Sequence, residues 1–297
     1  GSMALTTTWK NTACRTHWLR SKWWDNLQNF WDEFCATGLP GRSAYGKSPE
    51  GKTDTGSVVA LAKLMPGAEA VIPFYISWHF PNFEKYWDKC GKKPVWKNHY
   101  AGIFKNAFAA AEYAAEHAER LHNGTKKFHD ALFGSSHPAH VTDAVSANMS
   151  ILRTPTYIRL ADGTLYCFEG CRDDSGCCEG SCTHVENYSQ SPAFLFPALE
   201  RGMRDAEYGH SMLGGGAMRF RLQIPLGERK RKVRLAPALT SGLLTSFGAI
   251  SQKKYYPAAD GQMGGVMKVY REWKISGDDE WLESIWPEVR KSLEFAW

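Results

Sequence analysis

The chain has 297 residues, of which 43% are hydrophobic and 13% aromatic, so it can bury a sizeable core and a disordered chain is excluded. Its 36 Lys and Arg against 31 Asp and Glu give a net charge of +5, which is too mild to indicate a nucleic-acid-binding protein. The sequence contains no apolar run long enough to span a membrane and no visible signal peptide, so we expect a cytoplasmic protein without nucleic-acid or membrane partners.

The first hundred residues predict mixed structure. We set residues 1–3 aside as a tag remnant. Helical spacing of aromatic side chains predicts a helix over 21–34. Two short runs rich in β-branched and aromatic residues, 57–64 and 70–80, predict strands separated by a turn at 65–67. Because two strands are not stable alone, we expect both to belong to a larger sheet.

The remaining sequence predicts mainly helices, with one hairpin among them. Residues 156–168 alternate around Asp162-Gly163, the strongest hairpin signal in the chain. Apolar residues at helical spacing predict helices over 103–121, 143–152, 192–208, 260–276 and 281–297. Gly124 should close the first of these helices. We therefore predict two domains, a β-rich segment 1–97 and a mainly helical segment 98–297.

The densest group of polar, chemistry-bearing side chains lies around the end of the predicted hairpin, over 166–188. Glu169 comes directly after a strand and before a glycine-rich stretch, which places a carboxylate at a strand end beside backbone that can shape a cleft. Thr183, His184 and further hydrogen-bonding residues follow, and such groups suit the hydroxyls of a sugar. A polar surface loop is the alternative interpretation of the same residues.

Five of the eight cysteines fall within the sixteen residues 167–182. Thiolates together with the imidazole of His184 are the usual ligands of zinc. The candidate zinc ligands are Cys171, Cys177, Cys178 and Cys182. Their spacing is not that of paired Cys-x2-Cys knuckles, and reduced, packed thiols are the alternative. Zinc would stabilise the segment, and we expect no cofactor to be required for the chemistry.

Several strings, in this order along the chain, resemble a known enzyme family. They are FYISWHFPN, NMSILRTPTYIRLADG, FEG…CCEGSCTHVENYSQ, FPALERGMRDAEY and ADGQMGGVMKVYREWKISGDDEWL. Together they resemble the non-lysosomal glucosylceramidase-like β-glycosidases of glycoside hydrolase family 116, from about Val58 to Trp297. The resemblance implies a mixed α and β fold: the remnant of an N-terminal β-sandwich followed by part of an (α/α)6 helical barrel.

The same resemblance implies an activity and its catalytic residues. Family members are retaining glycosidases, mostly β-glucosidases, so the expected substrate is a small carbohydrate or glycoside with a terminal β-linked sugar. Glu169, in the aromatic-Glu-Gly motif, is implied as the nucleophile. Asp260, in Ala-Asp-Gly-Gln-Met-Gly, falls in a motif near the cleft and is the second catalytic candidate, with Gln262 beside it as a substrate-binding residue.

His184 resembles a position that lines the sugar subsite in the family, and Thr183 precedes it. The chain departs from the family pattern in two ways. Glu186 stands where the family has Trp in Cys-Thr-His-Val-Trp-Asn-Tyr, so either the subsite is altered and Glu186 binds substrate or Glu186 is a surface residue. The family's acid/base, an Asp, belongs to a motif that we expect beyond Trp297.

Two interpretations of function therefore stay open. The first is a β-glucosidase-like enzyme whose activity is weak or depends on a substitute acid. The second is a non-catalytic, truncated sugar-binding module that self-associates and is stabilised by zinc. We expect self-association because fewer helices are predicted than the twelve of an (α/α)6 barrel, which would leave apolar stripes exposed.

Overall fold

The computed structural model describes residues 1–21, 23, 25–42, 45–87, 93–169, 179–226 and 257–296. The chain divides into two compact units. The first unit comprises Gly1–Phe80 and Phe104–Phe128, and the second comprises Pro81–Ile103 and His129–Trp297. Within the described ranges, no helix combines the length and the apolar character that crossing a membrane requires.

The first unit contains two antiparallel strand pairs. Strand β1 (Ser2–Thr7) pairs with β4 (Phe74–His79), and β2 (Thr12–Arg15) pairs with β3 (Ser57–Ala60). Both predicted strands form, as β3 and β4, and a turn lies between them, where the Ala68 amide donates to the Met65 carbonyl at 2.9 Å, but the two strands do not pair with each other. Residues 2–7 supply the partner of β4, so Ser2 and Met3, which were set aside above, take part in the fold.

Helices complete the first unit. They are α1 (Asp25–Thr37), α2 (Ala107–Glu116) and α3 (Ala118–Phe133), the last belonging to this unit as far as Phe128. Ala107 and Ala111 of α2 are buried, and the carbonyl oxygen of Ala107 accepts a hydrogen bond from Ser77 Oγ of β4 at 2.8 Å. Small alanine side chains allow this close approach of helix and strand.

The helix predicted over 103–121 is in fact two helices that break at His117. Asn106 begins α2 by accepting a hydrogen bond from the Ala109 amide at 3.0 Å. Gly124 was expected to end the helix but lies inside α3, which continues to Phe133. A glycine costs a helix only about 1 kcal/mol, which the neighbouring turns of this sixteen-residue helix outweigh.

The second unit combines three short antiparallel strand pairs with helices. The strand pairs are β5 (Asn82–Glu84) with β6 (Val95–Lys97), β7 (Tyr157–Arg159) with β8 (Leu165–Cys167), and β9 (Ser181–Cys182) with β10 (Arg221–Leu222). The helices are α4 (Ala139–Met149), α5 (Ser191–Leu195), α6 (Pro197–Ala206), α7 (Ala259–Ser276) and α8 (Asp279–Glu294). The fold class is therefore mixed α and β with small antiparallel sheets.

Local sequence signals account for the boundaries in this unit. The β7–β8 hairpin is confirmed, and Gly163 takes the positive φ of 89° that its turn requires. The helix predicted over 192–208 is interrupted at Phe196, because a proline disfavours the helical conformation in the residue before it. Gly277, with φ of 65°, ends α7 in the left-handed conformation.

Two buried apolar clusters form most of the core of the second unit. The first packs the β7–β8 hairpin against α6 and β10, and its buried members are Ile158, Leu160, Tyr166, Phe168, Ala206, Leu222 and Ile224. The second lies between α7, α8 and the 208–218 segment, and its buried members are Tyr208, Met212, Met218, Val269, Ile285 and Val289. The hairpin cluster fixes the strand end that carries Glu169.

Candidate active site

Glu169 lies two residues beyond the end of β8, where strand alternation decides its direction. The Phe168 amide donates to the Thr156 carbonyl at 2.7 Å, which extends the hairpin pairing by one residue. Phe168 is 1% exposed and its ring contacts Phe83 and Trp87 at centroid distances of 5.8 and 5.6 Å. Because successive side chains alternate, Glu169 is directed away from this aromatic cluster.

The Glu169 carboxylate forms an ion pair with Arg221. Its Oε1 accepts a hydrogen bond from Arg221 Nη2 at 2.5 Å, and the side chains are only 19% and 21% exposed. Arg221 belongs to β10 and stands opposite Cys182 of β9, just before Thr183 and His184. The ion pair thus links the predicted nucleophile to β10. The partner strand of β10, β9, leads directly into the predicted sugar-binding residues Thr183 and His184.

A cavity of about 140 Å³ lies beside Glu169. Its described lining consists of Asn148, Ile151, Thr156, Cys167, Glu169, Val185, Tyr188, Ser189, Gln190 and Ser191. Ligand sites usually measure about 300–1,000 Å³, so a cavity of this size accommodates part of a glycoside. Glu169 therefore meets the first requirement of a nucleophile, which is a carboxylate on the wall of a cavity.

His184 and Asp260 are brought together although 76 residues separate them. His184 Nδ1 is hydrogen-bonded to Asp260 Oδ2, and the Gly261 amide donates to the other carboxylate oxygen at 2.9 Å. The hydrogen bond from His184 is the largest of the influences that lower the pKa of Asp260 below its usual value. Asp260 is therefore an ionised carboxylate at neutral pH, suited to accept hydrogen bonds.

Thr183 is buried, and helix α7 begins directly against it. Its Oγ1 donates to the Phe220 carbonyl at 3.1 Å, and it is 3% exposed. A Cβ atom at Gly261, in the first turn of α7, would lie 2.4 Å from Thr183 Oγ1. Glycine at 261 is thus what allows Asp260 and His184 to meet.

Gly261→Ala is expected to lower the free energy of unfolding by about 1–3 kcal/mol, as overpacking of a fitted contact does. The added methyl group meets the β-branched Thr183 side chain and cannot be accommodated without moving α7. Gly202→Ala is the matched control, because Gly202 lies inside α6 with open space around its Cβ position. That variant should gain about 0.5–1 kcal/mol from helix propensity. Urea unfolding measures both, and a neutral Gly261→Ala would contradict the close approach.

Gln262 supports the fold through all of its amide atoms. Its Nε2 donates to the Gly216 carbonyl at 2.9 Å and to the Ser292 carbonyl at 2.8 Å, and its Oε1 accepts from the Met218 amide at 2.7 Å. The residue is 3% exposed. The structure therefore places it between α7, α8 and the loop at 216–218, and not beside His184 and Asp260 as the sequence suggested.

Glu186 is buried, so the alternative that it is a surface residue is wrong. It is 2% exposed, and its Oε2 lies 2.5 Å from Arg204 Nη2 and 3.5 Å from Lys268 Nζ. Burial acts to raise the pKa of Glu186, but Arg204 and Lys268 together bring it below its usual value. The carboxylate that replaces the family's Trp is therefore charged and held by cations in the protein interior.

Glu186 belongs to a larger set of buried charges, which we call the ion network. Its members are Glu186, Glu200, Arg204, Glu207, Lys268, Arg271 and Glu272. Burial, with help from the neighbouring Glu186 charge, raises the pKa of Glu207 well above its usual value. This direction favours the neutral form of Glu207, whereas the lowered pKa of Glu186 favours its charged form beside Arg204.

The candidate zinc ligands fall mostly outside the described residues. Cys171, Cys177 and Cys178 lie there, whereas Cys182 is described, buried and not in a disulfide. Burial raises the pKa of the Cys182 thiol and also that of Cys167. In the ranges that the structure describes, no group of three His, Cys, Asp or Glu side chains is placed to hold a metal ion. The zinc site stays a prediction.

Sequence reasoning missed the cations that hold the acidic residues. Arg221 lies 52 residues after its partner Glu169, and nothing in the local pattern connects the two. Arg204 carried a usable signal, because Glu200 and Glu207 lie four residues before and three residues after it on helical spacing. That pattern predicts an ion pair on a helix face, but not that the face is buried.

Residues 1–121 match the model of the N-terminal domain of glycosyl hydrolase family 116, described as beta-glucosidase 2. The N-terminal part of the chain is thus similar to this domain, which is consistent with a family 116 member. The predicted resemblance is confirmed over this range, which begins upstream of Val58. No curated protein matches the chain significantly.

Family 116 consists of glycoside hydrolases, so the match indicates a glycosidase at the general level and a sugar-containing substrate. The residues matched to the family 116 domain include none of the predicted site residues, which lie between Glu169 and Gln262. The roles of those residues rest on the geometry of the second unit.

Proposed function

We propose that this chain is a retaining, β-glucosidase-like glycoside hydrolase that cleaves a terminal β-linked sugar, with Glu169 as nucleophile. The observation that carries the proposal is the position of Glu169 at a strand end, on the wall of a cavity and 2.5 Å from Arg221. The family 116 match of the N-terminal region supports the reaction class.

The chemistry requires an ionised carboxylate at this position. In a retaining reaction a carboxylate oxygen attacks the anomeric carbon, the bond from that carbon to the leaving oxygen breaks, and a glycosyl ester forms that water later hydrolyses. A second carboxyl group, about 5–5.5 Å away, protonates the leaving group. The positive charge of Arg221 beside Glu169 favours the ionised form that attack needs.

Asp260 and His184 are proposed to bind the sugar. A lowered pKa suits Asp260 to accept hydrogen bonds from hydroxyl groups and does not suit it to donate the leaving-group proton. His184 is 40% exposed and Asp260 49%, so both reach solvent where a ligand can contact them. Thr183 stands behind this pair and contributes through packing.

Further proposals concern the architecture. We propose that 1–97 is the end of a β-sandwich and 98–297 the first part of an (α/α)6 barrel, supported by the strand pairs of the first unit and by the α7–α8 helical hairpin. Self-association, zinc binding and cytoplasmic location stay predictions. The apolar face of the β1–β4 pair favours self-association, with exposed Met3, Leu5, Phe74, Ile76 and Trp78.

Covalent labelling tests the nucleophile directly. A 2-fluoro-β-glucoside with a dinitrophenolate leaving group needs no proton donor, and its glycosyl ester hydrolyses slowly enough to accumulate. We expect mass spectrometry to find one sugar adduct on the peptide that contains Glu169, and none in Glu169→Gln. Glu283→Gln, an exposed substitution on α8, should label as the wild type does. An adduct on another carboxylate, or none, would remove Glu169 from the mechanism.

A further inference from the structure

Arg221 is held more firmly than a surface cation. Its neighbour Leu222 is 3% exposed and belongs to the hairpin core cluster, and both residues pair with β9. The guanidinium also lies over the ring of Phe220, with its central carbon 5.2 Å from the ring centroid. Backbone pairing and the aromatic ring thus fix the direction in which Arg221 reaches Glu169.

The partner of this fixed cation is a carboxylate that has lost most of its water. Glu169 is 19% exposed, and the contact from Arg221 Nη2 to Glu169 Oε1 is 2.5 Å. A charge-assisted hydrogen bond between partly shielded groups fixes the orientation of the carboxylate. This effect does not require Arg221 to contact the substrate.

We propose that Arg221 is the positioning residue of the nucleophile: it holds the Glu169 carboxylate turned toward the cavity. This inference rests on the proposed function, because it assigns Arg221 a role only if Glu169 attacks. Arg221 acts through Glu169, so its removal should slow formation of the glycosyl ester with little effect on substrate binding.

The test compares Arg221→Met, Arg221→Lys and the wild type, each as the whole chain, in the rate of inactivation by the 2-fluoro-β-glucoside at a range of concentrations. We expect Arg221→Met to lower the maximal inactivation rate by about 10²-fold, the cost of a misplaced reacting group. The concentration for half-maximal inactivation should change little. Arg221→Lys keeps a charged hydrogen-bond donor and should lose less of the maximal rate than Arg221→Met.

Arg290→Met is the matched control, since Arg290 forms an exposed ion pair with Glu294 on α8, and its maximal rate should equal that of the wild type. An Arg221→Met variant with the wild-type maximal rate would overturn the inference. So would a variant in which only the half-maximal concentration rises, because that result belongs to a substrate-binding residue. If Arg221→Met does not fold, as judged by circular dichroism, a lowered maximal rate in folded Arg221→Gln supports the inference, and an unchanged maximal rate overturns it. Failure of the wild type to label at Glu169 would instead overturn the proposed function.

Discussion

Replacing Arg204 with methionine is expected to lower the free energy of unfolding by about 3–5 kcal/mol, the cost of removing one partner from a buried ion pair. Arg204 is fully buried in α6, with Nη2 at 2.5 Å from Glu186 and Nη1 at 3.1 Å from Glu207. Methionine fills much of the same volume but leaves the Glu186 carboxylate buried with Lys268 as its remaining cation, at 3.5 Å. Urea unfolding followed by tryptophan fluorescence measures the loss.

A surface pair provides the control for this experiment. Arg290 and Glu294 contact each other at 2.7 Å, closer than several pairs of the ion network, yet their side chains are 66% and 58% exposed. Arg290→Met should therefore change the stability by less than about 1 kcal/mol. Equal losses in Arg204→Met and Arg290→Met would contradict the view that burial makes the Arg204 contacts important.

The double variant Arg204→Met, Glu186→Leu separates an unpaired charge from lost packing. Removing both charges leaves Lys268 with the carboxyl groups of Glu207 and Glu200 acting on it, so no buried carboxylate has lost its partner through the Arg204 substitution alone. The double variant should then be more stable than the sum of its single losses predicts, by about 0.5–3 kcal/mol, as expected for directly coupled residues. Strict additivity would mean that Arg204 and Glu186 contribute independently, and the ion network would lose its physical basis.

Elements whose signals are local were predictable from the sequence. The β7–β8 hairpin follows from Asp162-Gly163. Helices α7 and α8 follow from apolar periodicity. Gly277 ends α7, and Asp278 caps the start of α8, where its side chain accepts a hydrogen bond from the Trp281 amide at 2.9 Å. The pairing of β4 with β1 did not follow, because no local pattern tells a strand which distant segment will be its partner. The break at Phe196 was available from the proline after it.

The candidate site shows the same division between local and distant information. Glu169, His184 and Asp260 were found as residue types in motifs, and the structure adds the His184–Asp260 contact. Arg221 was missed because its significance depends on a partner 52 residues away. The surface alternative for Glu186 was wrong because a carboxylate in a polar string suggests exposure, whereas its burial becomes possible through Arg204 and Lys268, which the fold brings to it.

Glu169→Gly is expected to lower the rate of hydrolysis of a dinitrophenyl β-glucoside by at least about 10⁴-fold, as loss of the nucleophile does in other hydrolases. The substrate's leaving group departs without a proton, so the measured loss reports the attack on the anomeric carbon and not proton transfer. Glu283→Gln, on the exposed face of α8, should keep the wild-type rate.

The space left by the missing carboxylate allows a stricter test of the same residue. Azide is small enough to enter where Glu169 stood on the cavity wall and can attack the anomeric carbon from that side, forming a carbon–nitrogen bond as dinitrophenolate leaves. A single displacement inverts the configuration, so the β-glucoside should yield the α-glucosyl azide, with a rate that rises with azide concentration. Glu169→Gln fills the space and should not respond to azide. A β-configured product, or equal rescue of both variants, would place the nucleophile elsewhere.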